Sequence, residues 1–219
     1  MRIYLHLSPN TEIVPFNYQA ALVGAFHGWL GENDLHDDIS LYSLSWLSNS
    51  HPRRGGLDFP GGSTFYVSAP SHQMLAALLE GVQNGWHIRW GMEVKEVTIQ
   101  RTPEFGEQQR FLVQSPVLIK RREETERNYR YYYYSDKEAD ALLTETLQHK
   151  LSRAGLTQEA SVAFDKSYPN PKTKMVNYRG IDIRASACPV IVTGDPRAVG
   201  FAWEVGVGNS TGIGFGALR

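Results

Sequence analysis

The last fifteen residues, Val205 to Arg219, read V-G-V-G-N-S-T-G-I-G-F-G-A-L-R. Gly206, Gly208, Gly212, Gly214 and Gly216 fall within eleven residues, with Val207, Ile213 and Phe215 among them. Glycine alone adopts positive φ without strain and lets another backbone or a phosphate come close. The interleaved Val, Ile and Phe keep strand character on either side. The stretch predicts two strand ends joined by a glycine-rich loop whose N–H groups can face an anion. A P-loop would end in Gly-Lys-Ser/Thr, and no Lys is present. A dinucleotide fingerprint must open a helix inside a longer βαβ unit, whereas this sequence stops at Arg219. From the residues alone, a hairpin that merely packs tightly is the simplest reading.

A chain of 219 residues suffices for one large domain or two small ones, each with its own core. Its 42% hydrophobic and 21% charged content is ordinary for a globular protein. No apolar run is long enough to span a membrane, and Met1–Asn10 is too short and polar for a signal peptide. Cys188 is the one cysteine, so there is no internal disulfide; a reducing cytoplasm is the expected location. Followed by Pro189 in an apolar strand, Cys188 reads as buried filler rather than a nucleophile. Net charge is −1, which argues against a protein that clings to any nucleic acid. The charge is uneven: 7 basic and 3 acidic residues over 166–219 leave +4, against −3 for residues 1–91 and −2 for 92–165. A basic face beside the glycine-rich end can hold phosphates, although a solvated face of Lys and Arg gives the same counts.

Periodicity predicts the elements. Arg2–Leu7 alternates, with Ile3, Leu5 and Leu7 on one face and Arg2, Tyr4 and His6 on the other. Asn17 is placed as N-cap of a helix whose buried stripe is Leu22, Phe26, Trp29 and Leu30, ending at Gly31. Leu41–Leu47 reads as a strand, Ser48–Gly62 as a loop, and Ser63–Ser68 as a strand. Pro70 opens a second helix that stops at Gly85, and Trp86–Trp90 follows as a short strand. Strand, helix, strand, strand, helix, strand is the ferredoxin-like order. Beyond a soft boundary near Gly91, Glu93–Gln100 and Arg110–Lys120 suggest a hairpin pair, and Lys120–Arg130 an exposed connection. Ser135 and Glu138 suggest a capping box for a helix burying Ala139, Leu142, Leu143, Leu147 and Leu151. Ser161–Phe164, Met175–Ala187, Val190–Thr193 and Val199–Gly206 are the remaining strand candidates. The expected fold is therefore α+β, two ferredoxin-like units in tandem over 1–91 and 92–219.

The spacing Gly206-Val-Gly208-Asn-Ser-Thr-Gly-Ile-Gly214-Phe-Gly216 resembles the C-terminal glycine-rich signature of the RAMP superfamily. It most resembles the CRISPR repeat-RNA processing endoribonucleases, which cut precursor CRISPR RNA. Pro15-Phe-Asn17-Tyr-Gln19 with Leu22-Val-Gly-Ala-Phe-His27 resembles the family's first helix. Leu35-His36 before Leu41-Tyr-Ser-Leu-Ser resembles its catalytic-histidine stretch. The resemblance implies tandem ferredoxin-like (RRM-like) domains and a metal-independent endoribonuclease without cofactors. Its products are a 2′,3′-cyclic phosphate or 3′-phosphate and a 5′-hydroxyl. Implied partners are CRISPR repeat RNA, subunits of a CRISPR effector complex and a second copy in a homodimer, with no membrane.

By position, His27 and His36 would flank the scissile phosphate, His27 as base and His36 as acid. Two imidazoles that titrate near neutral pH can divide those roles without a metal. Asp34, Asp37 and Asp38 would favour the charged form of His36. Ser40 stands where many family members carry a Lys that steadies the phosphorane, so either another cation such as Arg53 or Arg54 substitutes or the phosphate is stabilised less. RNA contacts are expected from Arg53, Arg54, Gly206, Gly208, Asn209, Ser210, Gly212, Gly214 and Gly216. Blander readings stand beside these. His27 also fits the rim of an amphipathic stripe, His36 a surface loop, and the Asn128–Tyr134 run an ordinary strand with alternate tyrosines on either face rather than a base-stacking platform. A metal site from His36 and its Asp neighbours lacks a supporting motif. The rival functions are a non-catalytic RAMP subunit that binds CRISPR RNA and a two-histidine phosphoesterase. The second needs two His-x-Ser/Thr motifs, and only His6-Leu-Ser8 qualifies.

Overall fold

The computed structural model describes residues 1–31, 39–123, 129–157 and 159–219. The fold is α+β with several small antiparallel sheets. The chain begins with β1 (Arg2–Leu7), α1 (Gln19–Leu30), β2 (Ser43–Leu44), β3 (His51–Arg53), β4 (Gly56–Asp58), β5 (Ser63–Ser68), α2 (His72–Asn84) and β6 (Val94–Gln100). Strands pair in the order β2-β5-β1-β6, every neighbour antiparallel. Ile3, Leu5, Phe65 and Val67 turn one face of that sheet onto Phe26 and Trp29 of α1 and Leu75 and Leu78 of α2.

Several local expectations are corrected here. The strand closing the first sheet is β6, not Trp86–Trp90, because Trp90 and Gly91 take φ of 58° and 68° and turn the chain. That leaves Val94–Gln100 free to pair with β1 (Leu7↔Val94, Arg2↔Gln100) rather than with 110–120. The expected loop 48–62 contains the β3–β4 hairpin. Helix α1 starts at Gln19, past Asn17, without a side-chain cap. Ser71, not Pro70, caps α2 by accepting from Met74 N.

The second half runs β7 (Gln108–Phe111), β8 (Ile119–Arg122), β9 (Tyr129–Tyr132), α3 (Ala139–Arg153), β10 (Ala160–Phe164), β11 (Lys172–Tyr178), β12 (Ile181–Ala187), β13 (Val190–Gly194) and α4 (Pro196–Val205). Here β10-β13-β7 form an antiparallel sheet, and the chain's end runs antiparallel to the residues after β7 through reciprocal Leu112–Arg219 backbone bonds. The single strand expected at 175–187 is the β11–β12 hairpin, turned at Arg179 and Gly180. The strand expected at 199–206 is α4. Asp195 caps it by accepting from Arg197 N at 2.8 Å, Pro196 opens it, and Ala198, Phe201, Ala202 and Val205 face the core. Glu138 caps α3 without a side-chain bond, so no capping box forms.

Arg2 ties the halves together. The alternation placed it opposite the buried face of β1, yet it is 1% exposed. Its guanidinium lies between the rings of Tyr66 and Trp203, and its Nη2 donates to Trp203 O and Leu218 O. The N-terminal amine adds an ion pair with Glu204. Among the described residues no helix is long and apolar enough to cross a membrane.

Candidate functional site

Residues 39–42, just before β2, and the glycine-rich C-terminal segment, far apart in sequence, meet in space. Thr211 Oγ1 donates to Tyr42 O at 2.8 Å, and the 3₁₀ turn Thr211–Ile213 packs against α1 and β2. A Cβ on Gly212 would come within 2.5 Å of Ser40 Oγ and 2.7 Å of the Tyr42 hydroxyl. Only glycine lets that backbone lie on Ser40. Asn209 is fixed from the other side: its N donates to Leu118 O, and its Oδ1 accepts from Lys120 N, both at 2.8 Å. Between these contacts opens a cleft of about 280 Å³ lined by Ser40, Lys120, Thr146, Lys150, Asn209 and Ser210, among others.

Helix α3 contributes the floor. Lys150 is 1% exposed, and its Nζ donates to Val205 O at 3.2 Å, Gly206 O at 3.3 Å and Thr211 Oγ1 at 3.1 Å. Those carbonyls end α4, where the helix dipole favours a cation. Burial pushes the Lys150 ammonium down to about 7. Burial also pushes the Tyr42 phenol up to about 12, against its hydrogen bond with Ser40. The phenol therefore stays protonated at neutral pH beside Ser40 and Gly212.

The expected site residues are placed as follows. Ser40, Gly208, Asn209, Ser210 and Gly212 come together at the cleft. His27 is half-buried on α1, its ring edge-on to Phe26 at 5.0 Å, and Phe26 in turn tilts on Tyr42 at 5.3 Å. Two ring contacts thus link it to Tyr42, whose hydroxyl lies beside Ser40 and Gly212. His36 lies outside the described residues, as do Asp34, Asp37 and Asp38 and with them the metal-site alternative. Among the described residues no three His, Cys, Asp or Glu side chains cluster as metal ligands. Arg53 and Arg54 sit on the exposed β3–β4 hairpin, where Arg53 pairs with Asp58 at 3.4 Å, and neither lines the cleft. The cations that share the cleft with Ser40 are Lys120 and Lys150.

The glycine-rich segment is folded inward rather than presented as an open anion cradle. All five glycines are buried, and Gly206, Gly214 and Gly216 donate their N–H groups to Ala202, Thr211 and Pro116. Asn209, Ser210 and Ile213 are its more exposed members. Lys150 escaped notice in the sequence, but its signal was there. It lies three residues beyond Leu147 and seven beyond Leu143, inside the apolar stripe of α3, where a charge needs a partner.

A family model described as "CRISPR associated protein Cas6, C-terminal" matches residues 100–219. No curated protein sequence matches the chain. Among solved structures, the chain is similar to a Cas6-related protein of Pyrococcus furiosus, at 18% identity and a TM-score of 0.87, over 100% of this chain and 97% of that one. It is also similar to a RAMP protein that binds different RNA substrates, at 19% identity and TM-score 0.87, over 100% of this chain and 98% of that one. A third similar structure is a CRISPR-associated protein Cas6, at 19% identity and TM-score 0.82, with coverage of 100% and 98%. At these identities the likeness shows a shared fold along the whole chain.

Proposed function

The chain belongs to the CRISPR-associated Cas6 family, and from that premise we propose that it is a metal-independent endoribonuclease cutting precursor CRISPR RNA within its repeats. One observation carries this reading. Ser40, between the two parts of the stretch that resembles the family's catalytic-histidine segment, and the glycine-rich end line one cleft floored by a buried lysine. In the reaction, the 2′-hydroxyl 5′ of the scissile bond attacks phosphorus and loses its proton to His27. The bond to the 5′-oxygen breaks, and that oxygen takes a proton from His36. The products are a 2′,3′-cyclic phosphate, which opens to a 3′-phosphate, and a 5′-hydroxyl.

In this reading Ser40 helps to orient the phosphate, and Lys120 supplies the positive charge that a lysine at position 40 would have given. Asn209 and Ser210 touch RNA, the five glycines shape the segment that presents them, and Arg53 and Arg54 are peripheral phosphate contacts. Each half is a ferredoxin-like unit. The first sheet, in the order β2-β5-β1-β6, supports that description, and because β6 completes it we place the division after Gln100. The protein acts in the cytoplasm on repeat RNA, alone, as a homodimer or beside effector subunits.

The test uses repeat RNA from the array beside the encoding gene. A 2′-deoxy substitution immediately 5′ of the scissile phosphate should abolish cleavage and leave binding intact, while EDTA should leave cleavage of the unmodified RNA unchanged. Replacing His36 by Ala, or His27 by Ala, should slow cleavage by ~10²-fold or more with little loss of binding. Cleavage of the deoxy substrate at that bond, or its arrest by EDTA, would overturn the mechanism. Tight binding without cutting would make the protein a non-catalytic subunit, with Ser40 the first suspect.

A further inference from the structure

A second cleft, of about 350 Å³, is lined by Phe16, Gln19, Trp46, Leu47, Lys174 and Met175, among others. That volume is at the lower end for small-molecule sites and suits one nucleoside rather than a duplex. Trp46 joins this cleft to the glycine-rich segment, because its Nε1 donates to Gly214 O at 2.8 Å.

Three features point to an occupant. First, folding leaves large apolar side chains in water here: Phe16 is 60% exposed and Met175 56%. Second, the ammonium of Lys174 stands 5.3 Å from the Trp46 ring centroid, and its β11–β12 hairpin also carries Lys172, Arg179 and Arg184. Burial and the nearby Lys172 hold the Lys174 ammonium below the ordinary lysine range, a strain that an anion would relieve. Third, Gln19 is 4% exposed, and its Oε1 has no donor among the described residues. A buried amide oxygen without a donor is costly, and it marks a place where a donor is missing.

Aromatic walls, a cation for phosphate and an acceptor awaiting a donor are the requirements of a site for an unpaired base. We propose that this cleft takes one unpaired base of the RNA, stacked on Phe16 and Trp46, with its exocyclic amine donating to Gln19 Oε1 and its phosphate at Lys174. Adenine, cytosine and guanine carry such an amine, and uracil does not. The proposal rests on the RNA-processing reading above and extends it to substrate recognition. Gln19 opens α1 and His27 follows eight residues later, ~12 Å along the axis, so the base would be held a short way from the cutting site. An apolar peptide side chain would cover the aromatic walls but leave both Gln19 and Lys174 unanswered.

The test uses the full chain and three RNA-like decamers: oligoadenylate, the same length of purine riboside (adenosine without its amine), and an abasic ribose-phosphate strand. By fluorescence anisotropy, oligoadenylate should bind about tenfold tighter than the abasic strand, through stacking. It should bind about fivefold tighter than the purine strand, the scale of one hydrogen bond. Phe16→Ala, at an exposed position where folding is safe, should weaken both base-bearing strands and leave the abasic strand unchanged. Gln19→Met should erase the distinction between adenine and purine alone. If the wild type bound all three strands alike, or if both variants kept both distinctions, the pocket would be refuted while the RNA reading stood. Base-dependent binding that responds to the variants, without any cleavage of repeat RNA, would keep the pocket and remove the nuclease. Failure to bind any of the strands would refute the pocket, while cleavage of repeat RNA decides the nuclease reading separately.

Discussion

A Cβ placed on Gly216 in the C-terminal segment would sit 1.9 Å from Val207 O, whereas one on Gly55, at the tip of the β3–β4 hairpin, would meet nothing within 4 Å. Both residues hold positive φ, +61° and +88°. At the hairpin tip glycine serves only the turn, and the neighbouring Arg53 is 61% exposed at its side chain. In the C-terminal segment it serves close packing, with Val207 N donating to Gly216 O and the buried Lys150 reaching Thr211 beneath. Glycine content therefore says little about flexibility or ligand contact until the neighbours of each glycine are known.

The comparison breaks most visibly under paired substitution. Gly216→Ala adds about 1–2 kcal/mol of left-handed strain and about 1–3 kcal/mol of overpacking against backbone. Roughly 3 kcal/mol in a chain of this size should lower Tm by roughly 6–12 °C. Gly55→Ala carries the first contribution only, so its Tm should fall by roughly 2–8 °C. Thermal melts of the two variants decide the matter; equal losses would mean that close packing around Gly216 has no special weight.

Lys150 supplies the next test, because the C-terminal segment is built on a buried cation and the hairpin is not. The unfolded chain holds the Lys150 proton up to its ordinary value of 10.5, whereas the folded one releases it from about 7. Between those values the unfolded state binds more protons, so this residue makes stability rise with pH, by at most about 1.4 kcal/mol per unit. Burial lifts the Cys188 thiol from 9.0 to about 11, which has the opposite sign above pH 9 and limits the useful window to pH 7–9. Over that window, denaturant unfolding should show wild-type stability climbing relative to Lys150→Met. Parallel curves would mean that the three acceptors keep the ammonium charged throughout.

Strong local periodicity made β1, β5, α2, α3, β10 and β13 legible in the sequence. The glycine spacing pointed to the family, although not to how deeply that end of the chain is buried. The strand at Val94–Gln100 was legible but its pairing was not, because its partner, β1, lies some ninety residues away and no local pattern encodes the pairing. Val199, Phe201, Trp203 and Val205 alternate like a strand, and only Asp195-Pro196 ahead of them announced α4. Of the residues at the first cleft, Ser40 and Asn209 stood out by motif position, whereas Lys150, and Gln19 at the second cleft, did not. Each is a single polar side chain whose meaning depends on a burial that only the tertiary fold creates.

The smallest expected effect belongs to Arg53 and Arg54. They stand on an exposed turn with Asp58 as the charged partner of Arg53, so the double replacement Arg53→Ala/Arg54→Ala should change stability by no more than about 0.5 kcal/mol. Its signature belongs in the salt dependence of RNA binding. Each phosphate neutralised on a single strand contributes about −0.7 to the slope of log affinity against log salt, so loss of both contacts should flatten it by about 1.4. Lys120→Ala, in the cleft, should flatten the slope by about 0.7 and also slow cleavage, which the hairpin variant should leave unchanged. An unaltered slope in the double variant would make the hairpin tip a solvated turn with no hold on RNA. Slowed cleavage in that variant would instead move the phosphate-steadying cation from the cleft to the hairpin, and the two glycine-bearing regions would then serve one site.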